Sequence, residues 1–421
     1  MQKHTQNLTV LLIGSGGRES AFLQKILESP LLKMCFFCGI PQFFFNEKLK
    51  IVEINIQNNQ EILDFCRKNG VNFVIPCPEA ILCNGIVDFL ESNGILTFGP
   101  NKEASKLESS KIFMKDVLVK AGVPTAKYQQ FAHTQFEHAC EFIKSFSGKI
   151  VIKTDGLASG KGVYICENHA EAIQVLKEFF NGKFLDAGKN VVIEEFLDGK
   201  EVSVFAICDG KNAIPFFHAC DYKKVFDGDS GLNTGGMGSF APSFLENSTF
   251  QHIVYTYFKA TLDELNKRNI SFKGILFGGL IIKNNDVKFL EYNIRMGDPE
   301  TQSILPLLES DILAILFEAS NGIILDDIKF SNEHCVTVVL TSGGYPLDFE
   351  KNKKIFGVEN VSCTVFPAGI KQVEDEFLTS GGRVLCVCAK SSTIEDARTQ
   401  VYENIKKISF ENMHFRNDIA K

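Results

Sequence analysis

The chain has 421 residues, 45% hydrophobic and 23% charged, with 44 Lys and Arg against 51 Asp and Glu for a net charge of −7. This mix excludes a disordered or collagen-like chain, and an acidic balance without long basic runs argues against nucleic acid as a partner. No run reaches the roughly 18 apolar residues that span a bilayer, and the apolar stretch at 8–13 is too short for a signal-peptide core, so no membrane is expected.

The first hundred residues alternate apolar runs at 8–13, 33–38, 71–75 and 95–98 with helical stretches at 18–28, 60–69 and 80–93. That βαβ rhythm predicts an α/β fold with a doubly wound parallel sheet. Gly99-Pro100 breaks the pattern, and a charged helix at 102–121 stops at Gly122-Val-Pro124, which places a first boundary near residue 105. From about 126 the chain reads as α+β, with strands at 150–153, 191–195, 201–207, 275–282 and 287–292 and helices near 246–268 and 299–320. A last block from about 330 holds strands at 335–340 and 383–389. The 13 cysteines are odd in number and scattered through apolar segments, a pattern of buried free thiols in a reducing, cytoplasmic compartment. Cys35-Phe-Phe-Cys38 has no second pair at zinc-ribbon spacing and reads as strand.

Four stretches carry chemistry. Gly14-Ser-Gly16-Gly17-Arg18-Glu19 follows a strand and opens a helix, a turn that aims backbone N–H groups at an anion. Glu19 takes the third glycine position of GxGxxG, which argues against a nicotinamide cofactor. A purely structural turn and a cradle for a substrate phosphate or carboxylate both remain open.

The second stretch ends a strand in Lys153 and continues through Gly156 to Gly160-Lys161-Gly162. Two lysines flanking a glycine-rich hairpin suit a polyphosphate, one fixed and one on a closing flap. The spacing is not that of a Walker A loop, and the alternative is a solvated hairpin with surface lysines.

In the third, strand alternation puts Val287, Phe289, Glu291 and Asn293 on one face, with the last two about 7 Å apart by twice the strand rise. Carboxylate plus amide oxygen is a hard donor pair suited to magnesium carried with phosphates. Arg295 follows as a fork for a phosphate or carboxylate, and Asp298-Pro299 reads as a helix cap and first turn. The fourth stretch, from Asp221-Tyr-Lys223-Lys224 to Asn233-Thr-Gly235-Gly236-Met-Gly238, reads as one long polar loop of functional type.

GSGGRE, FGPNKEASKLESSKIFMK (98–115), VIKTDGLASGKGV (151–163), VIEEFLDGKE (192–201), GDSGLNTGGMGSFAP (228–242), EYNIRMGDPETQ (291–302), LTSGGYP (340–346) and TSGGRVL (379–385) together resemble the phosphoribosylamine–glycine ligases of the ATP-grasp superfamily. They stand in order over about residues 8–418. The resemblance implies an N-terminal Rossmann-like domain at 1–105 and an ATP-grasp domain at 106–329. It places an inserted lid at about 126–193 and a small α+β C-terminal domain at 330–421. It also implies a reaction: ATP phosphorylates the glycine carboxylate to glycyl phosphate, and the amine of 5-phosphoribosylamine attacks the acyl carbon.

By position, the resemblance gives Lys111, Lys153 and Lys161, with Gly156, Gly160 and Gly162, to the ATP phosphates. Glu194, Glu195, Phe196 and Leu197 would form the adenine hinge, and Glu201 would meet the ribose or polar groups near it. Glu291 and Asn293 would hold Mg2+ (or Mn2+), while Lys153, Lys161 and Arg295 would offset the charge of phosphoryl transfer. Gly14, Gly16, Gly17, Arg18, Glu79, Asp221, Lys223, Asn233, Gly235, Arg295 and Asp298 are candidates for phosphoribosylamine or glycine.

Departures gather on that last side. Ser20 replaces a family histidine, and Cys77-Pro78-Glu79-Ala80-Ile81-Leu82 replaces Gly-Pro-Glu-x-Pro-Leu. Cys220-Asp221-Tyr222-Lys223-Lys224 replaces Gln-Asp-x-Lys-Arg, an exchange that is not conservative at a bidentate site, and Pro367-Ala368-Gly369 replaces His-Ala-Gly. The competing readings are another ATP-grasp carboxylate–amine ligase, or a carboxylase, with a drifted substrate, and a catalytically silent ATP-binding protein. No biotinyl Met-Lys-Met signature occurs. With its last residues just past the C-terminal block, the chain is expected to be a stand-alone monomer.

Overall fold

A run such as Leu8–Ile13 (β1), buried at every position, needs cover on both faces, and a parallel sheet supplies it. The computed structural model describes residues 7–157, 162–183, 188–284, 286–323 and 327–421. In it β1 pairs in parallel with Leu32–Cys38 (β2) and, on its other side, with a later strand. Leu49–Ile51 (β3), Phe73–Pro76 (β4) and Leu96–Thr97 (β5) complete a sheet of order β3-β2-β1-β4-β5, the doubly wound arrangement expected. The helix Gly17–Leu27 (α1) leaves the end of β1 directly. Both cysteines of the Cys35–Cys38 pair lie in β2, as strand residues with free thiols.

Two long helical readings break in the structure. The 80–93 stretch is two helices, Glu79–Cys83 and Ile86–Ser92, parted by Gly85 at φ +85. The 102–121 stretch breaks at Ser110, whose φ of −134 leaves the helix while its Oγ accepts the Phe113 N–H at 3.1 Å. That cap starts Lys111–Lys120 (α2) with Lys111 as its first residue.

A second sheet, antiparallel, joins Tyr128–Ala132 (β6), Ile150–Thr154 (β7), Val163–Cys166 (β8) and Asn190–Glu195 (β9) in the order β6-β9-β7-β8. It builds its own core with the helices Phe136–Lys144 and His169–Glu178. Next come Lys200–Asp209 (β10) and Ala213–Asp221 (β11). The expected strands do not include β11, which carries Pro215 opposite Ala206 beside a bulge in its pairing with β10.

The 221–238 stretch is not one loop. It folds as the hairpin Lys224–Phe226 (β12) and Ser230–Asn233 (β13), then enters Gly238–Ala241 (β14). Lys273–Lys283 (β15), Asp286–Asn293 (β16), His334–Thr341 (β17) and Thr364–Pro367 (β18) follow. The hairpin Ile370–Val373 (β19) and Glu376–Thr379 (β20) and the strand Arg383–Ser391 (β21) complete the set. Among the described residues, eight strands form one sheet of order β16-β15-β10-β11-β14-β17-β21-β18, antiparallel at every junction.

One apolar cluster packs β1 and α1 against Ile304, Leu305 and the β21 residues Cys386 and Cys388. This packing brings the turn after β1 next to the helix Glu300–Ile304 (α3). No described helix is long and apolar enough to cross a membrane.

Candidate active site

The glycine turn closes on its own side chain. Glu19 sends Oε2 back to accept the Gly16 N–H at 2.7 Å. A Cβ on Gly14 (φ +136) or Gly16 would come within 2.5 Å or 2.8 Å of Glu19 atoms. The carboxylate occupies the interior that the third glycine of a dinucleotide fingerprint leaves open. A Cβ on Gly17 would meet Gln302 Nε2 at 2.6 Å, so the turn abuts α3. Arg18 donates to Glu19 Oε1 at 2.7 Å and to the Met296 carbonyl at 3.2 Å. Burial works against its charge, yet Glu19, Cys77, Asp298 and Glu79 hold the guanidinium above its usual range.

Asp298 is no helix cap: Pro299 stands at the cap position of α3, without a capping side chain. Its Oδ1 instead accepts Gln302 Nε2 at 2.7 Å, and its Oδ2 pairs with Arg383 Nη2 at 2.9 Å. Arg383 also donates to the carbonyls of Asp298 and Gly235, at 2.8 Å and 2.6 Å, which ties the 233–238 stretch to this corner. Sequence reasoning missed Arg383, although it lies inside the TSGGRVL stretch. Asn233 sits on the exposed hairpin strand β13, opposite Lys224.

Strand β16 supplies the centre. A bulge falls at Leu290, because Glu291 faces Gly279 on β15 while Phe289 faces its immediate neighbour Leu280. The bulge resets the alternation. Phe289 packs against Tyr292 with ring centroids 5.2 Å apart in the core, and Glu291 and Asn293 do not share its face as the sequence predicted. They do stand together, Asn293 Nδ2 reaching Glu291 Oε1 at 3.5 Å. Lys111 Nζ lies 3.2 Å from Glu291 Oε2. Burial pushes the Glu291 carboxyl up, but Lys111, Lys153 and Lys223 outweigh it and hold the group down to about 2.

Arg295 Nη2 donates to Asn293 Oδ1 at 3.2 Å and to Glu108 Oε1 at 2.8 Å. Its Nε is buried without a hydrogen-bond partner, 3.5 Å from Glu79 Oε2. Burial raises the Glu79 carboxyl, while Arg295 and Arg18 more than reverse that and hold it low. Among the described residues no group of three His, Cys, Asp or Glu could hold a metal. The donors at 291 and 293 are one ionised carboxylate and one amide oxygen. Such a set fits magnesium when phosphate oxygens complete the shell.

The bulge also exposes the Leu290 carbonyl, which accepts Lys153 Nζ at 3.3 Å from the end of β7. Lys153 pairs with Glu194 Oε1 as well, and Glu194 Oε2 lies 2.6 Å from Lys115 Nζ. Glu194, predicted as part of an adenine hinge, thus carries a buried side chain shared by two lysines. Burial raises its carboxyl, but Lys153 and Lys115 win and keep it low. Beyond it, the N–H of Glu195 donates to the Lys127 carbonyl at 3.0 Å and that of Phe196 to the Lys149 carbonyl at 3.3 Å. Leu197 follows, half-buried, before β10. Gly156 has φ +146 and the Gly162 carbonyl accepts the Thr154 N–H at 2.9 Å, while Gly160 and Lys161 lie outside the described residues.

Glu201, expected beside ATP, and Asp221, expected beside the amine substrate, meet at one lysine: Lys223 Nζ is 2.7 Å from Glu201 Oε2 and 2.8 Å from Asp221 Oδ1. Sequence reasoning missed Glu300, which is buried and accepts Ser203 Oγ at 2.9 Å. Burial, and next Asp221, push its carboxyl up to about 7. Two of the departures also meet, since buried Ser20 donates to the Pro367 carbonyl at 2.7 Å.

Family models match most of the chain in three pieces: phosphoribosylglycinamide synthetase N domain at 8–108, ATP-grasp (A) domain at 109–301 and C domain at 335–421. The phosphoribosylamine–glycine ligase of Fusobacterium nucleatum is 41% identical over 98% of both chains. The crystal structure of phosphoribosylamine–glycine ligase from Thermotoga maritima superposes with a TM-score of 0.86 at 32% identity, covering 98% of this chain and 100% of that one. A biotin carboxylase domain of Hydrogenobacter thermophilus, solved with MgADP, shares the fold at TM-score 0.74 and 16% identity over 97% and 92% of the two chains.

Proposed function

The chain belongs to the phosphoribosylglycinamide synthetase family, and we propose that the charged groups around β16 do the chemistry of its reaction. Its activity is that of a phosphoribosylamine–glycine ligase: glycine and 5-phosphoribosylamine are joined with ATP to give glycinamide ribonucleotide, ADP and phosphate in purine biosynthesis. A glycine carboxylate attacking a γ-phosphoryl group needs positive charge against the repulsion, and Lys153, Lys161 and Arg295 supply it, with Lys111 reaching the ATP phosphates. Glu291 and Asn293 would hold magnesium (or manganese), which when bound neutralises phosphate charge.

Backbone groups of residues 194–197 take the adenine, leaving the Glu194 side chain to its two lysines, and Glu201 takes the ribose side, with Gly156, Gly160 and Gly162 assigned to the phosphate loop. The amine substrate and glycine fall to Gly14, Gly16, Gly17, Arg18, Glu79, Asp221, Lys223, Asn233, Gly235, Arg295 and Asp298. A glycyl phosphate needs shelter from water, a task for the 156–162 loop of a lid at about 126–193, which is inserted in an ATP-grasp domain at 106–329 between domains at 1–105 and 330–421. The four-stranded sheet β6–β9 supports that lid. Free thiols at all 13 cysteines support a cytoplasmic enzyme, taken here as a monomer.

One observation carries this reading: the unbroken contact chain Lys111–Glu291–Asn293–Arg295, at 3.2, 3.5 and 3.2 Å. Glu291→Ala removes the charged ligand and should lower kcat by about 10²–10³-fold with the fold intact by circular dichroism. Full activity with unchanged magnesium affinity would sink the assignment.

A further inference from the structure

Lys115 is completely buried, a rare place for an ammonium group, and the reaction as described makes no use of it. It lies one turn after Lys111 on α2, so the two share a helix face. Its Nζ stands 2.6 Å from Glu194 Oε2 and donates to Thr125 Oγ1 at 2.7 Å, and Thr125 donates in turn to the Phe289 carbonyl at 2.7 Å. The other Glu194 oxygen belongs to Lys153. One buried carboxylate therefore serves two lysines, and only Lys153 has a polyphosphate to reach.

We propose that Lys115 is a positioning residue: it keeps Glu194 paired when Lys153 turns from that carboxylate to the phosphates of ATP, an inference that rests on the assignment of Lys153 to ATP. A buried carboxylate stripped of its partner is costly. Without Lys115, the move of Lys153 would strand Glu194 in the core. With it, the pair Lys115–Glu194 persists, and phosphate supplies the negative charge that two lysines to one carboxylate leave wanting. The fixed route through Thr125 to β16 holds Lys115 where it is while Lys153 swings.

The groups facing Lys115 are Glu194 on β9, Lys153 on β7, the Tyr128 ring on β6 at 5.4 Å, and Lys111 on its own helix. Burial pushes the ammonium down to about 8; Glu194 opposes this, while Lys153 and Lys111 add to it. Above that pH Lys115 is neutral and Glu194 leans on Lys153 alone. ATP affinity should therefore fall as pH rises through about 8.

The test is equilibrium ATP binding and steady-state kinetics on the full chain. Lys115→Met should weaken ATP binding by about tenfold or more, raising KM for ATP with little change in kcat at saturation. Adding Glu194→Gln to that variant removes the carboxylate, frees Lys153 and should restore most of the loss. Lys115→Arg, charged at every pH used, should keep the affinity and abolish its alkaline fall. A staple that only joined α2 to the small sheet would lower stability and leave the pH profile of ATP affinity untouched. Wild-type affinity in a folded Lys115→Met variant, or no recovery in the double variant, would overturn the proposal. If Lys115→Met does not fold, the Arg variant decides: an alkaline fall like that of the wild type overturns it. Wild-type protein that binds no ATP would overturn the Lys153 assignment and this inference with it.

Discussion

Glu300 is the buried residue whose protonation shifts nearest to neutrality. Its carboxyl sits near 7, raised by burial and by Asp221, so the folded protein holds a proton that the unfolded chain has already released at pH 6. The stability contributed by this group is therefore greatest at low pH and is lost as pH rises from about 4.5 through about 7. Glu300→Gln should flatten that decline, and melting temperatures at pH 5 and pH 7.5 in both proteins would show it. An unchanged pH dependence would mean the carboxyl titrates normally. Nothing in the sequence singled out Glu300, because its environment is assembled by Ser203, Asp221 and Lys223 from strands far off in the chain. Ser20 is a similar case. The sequence marks it only as a lost imidazole, whereas the fold pairs its hydroxyl with the backbone of Pro367, the other lost imidazole. Lys153, Glu291 and Arg295 stand out by residue type and local spacing, which announce phosphate and metal chemistry, whereas Lys111 is singled out only by the family resemblance.

At the scale of elements, strand and helix positions followed from apolar runs, and the breaks within them did not. The Leu290 bulge depends on which residues β15 places opposite it, so simple alternation put Glu291 on the wrong face. That bulge shapes the proposed site: beside it Glu291 meets Lys111, and the Leu290 carbonyl accepts Lys153. Ser110 shows the same lesson in a helix. Its hydroxyl caps α2 and also donates to Asp155 Oδ1 at 2.9 Å, and Asp155 accepts the Ile112 N–H at 3.1 Å. The start of the Lys111 helix is thereby pinned to the loop after Lys153. Ser110→Ala should cost about 1 kcal/mol in urea unfolding, the usual worth of a cap. It should also weaken ATP binding, because Lys111 is the first residue of the frayed turn. A stability loss with ATP affinity intact would separate the cap from the site.

Across the molecule, the parallel sheet was foreseeable from its local βαβ rhythm, but the eight-stranded sheet was not. Its order interleaves strands distant in sequence, and β14 pairs with β17 across the proposed boundary at 330. Periodicity reports which residues are buried and says nothing of which strand lies beside which. That non-local sheet brings β21 and Arg383 to Asp298, and it seats α1, with the glycine turn, against α3. The site is thus a property of the whole chain, built where the parallel sheet, the small sheet and the large sheet converge. The central claim is that this convergence ligates glycine to 5-phosphoribosylamine. The most direct test is ADP release by the purified protein with Mg-ATP and freshly generated phosphoribosylamine, with and without glycine. The account predicts glycine-dependent ADP release matched mole for mole by glycinamide ribonucleotide. ATP binding without turnover, or turnover only with a different amino acid, would contradict it.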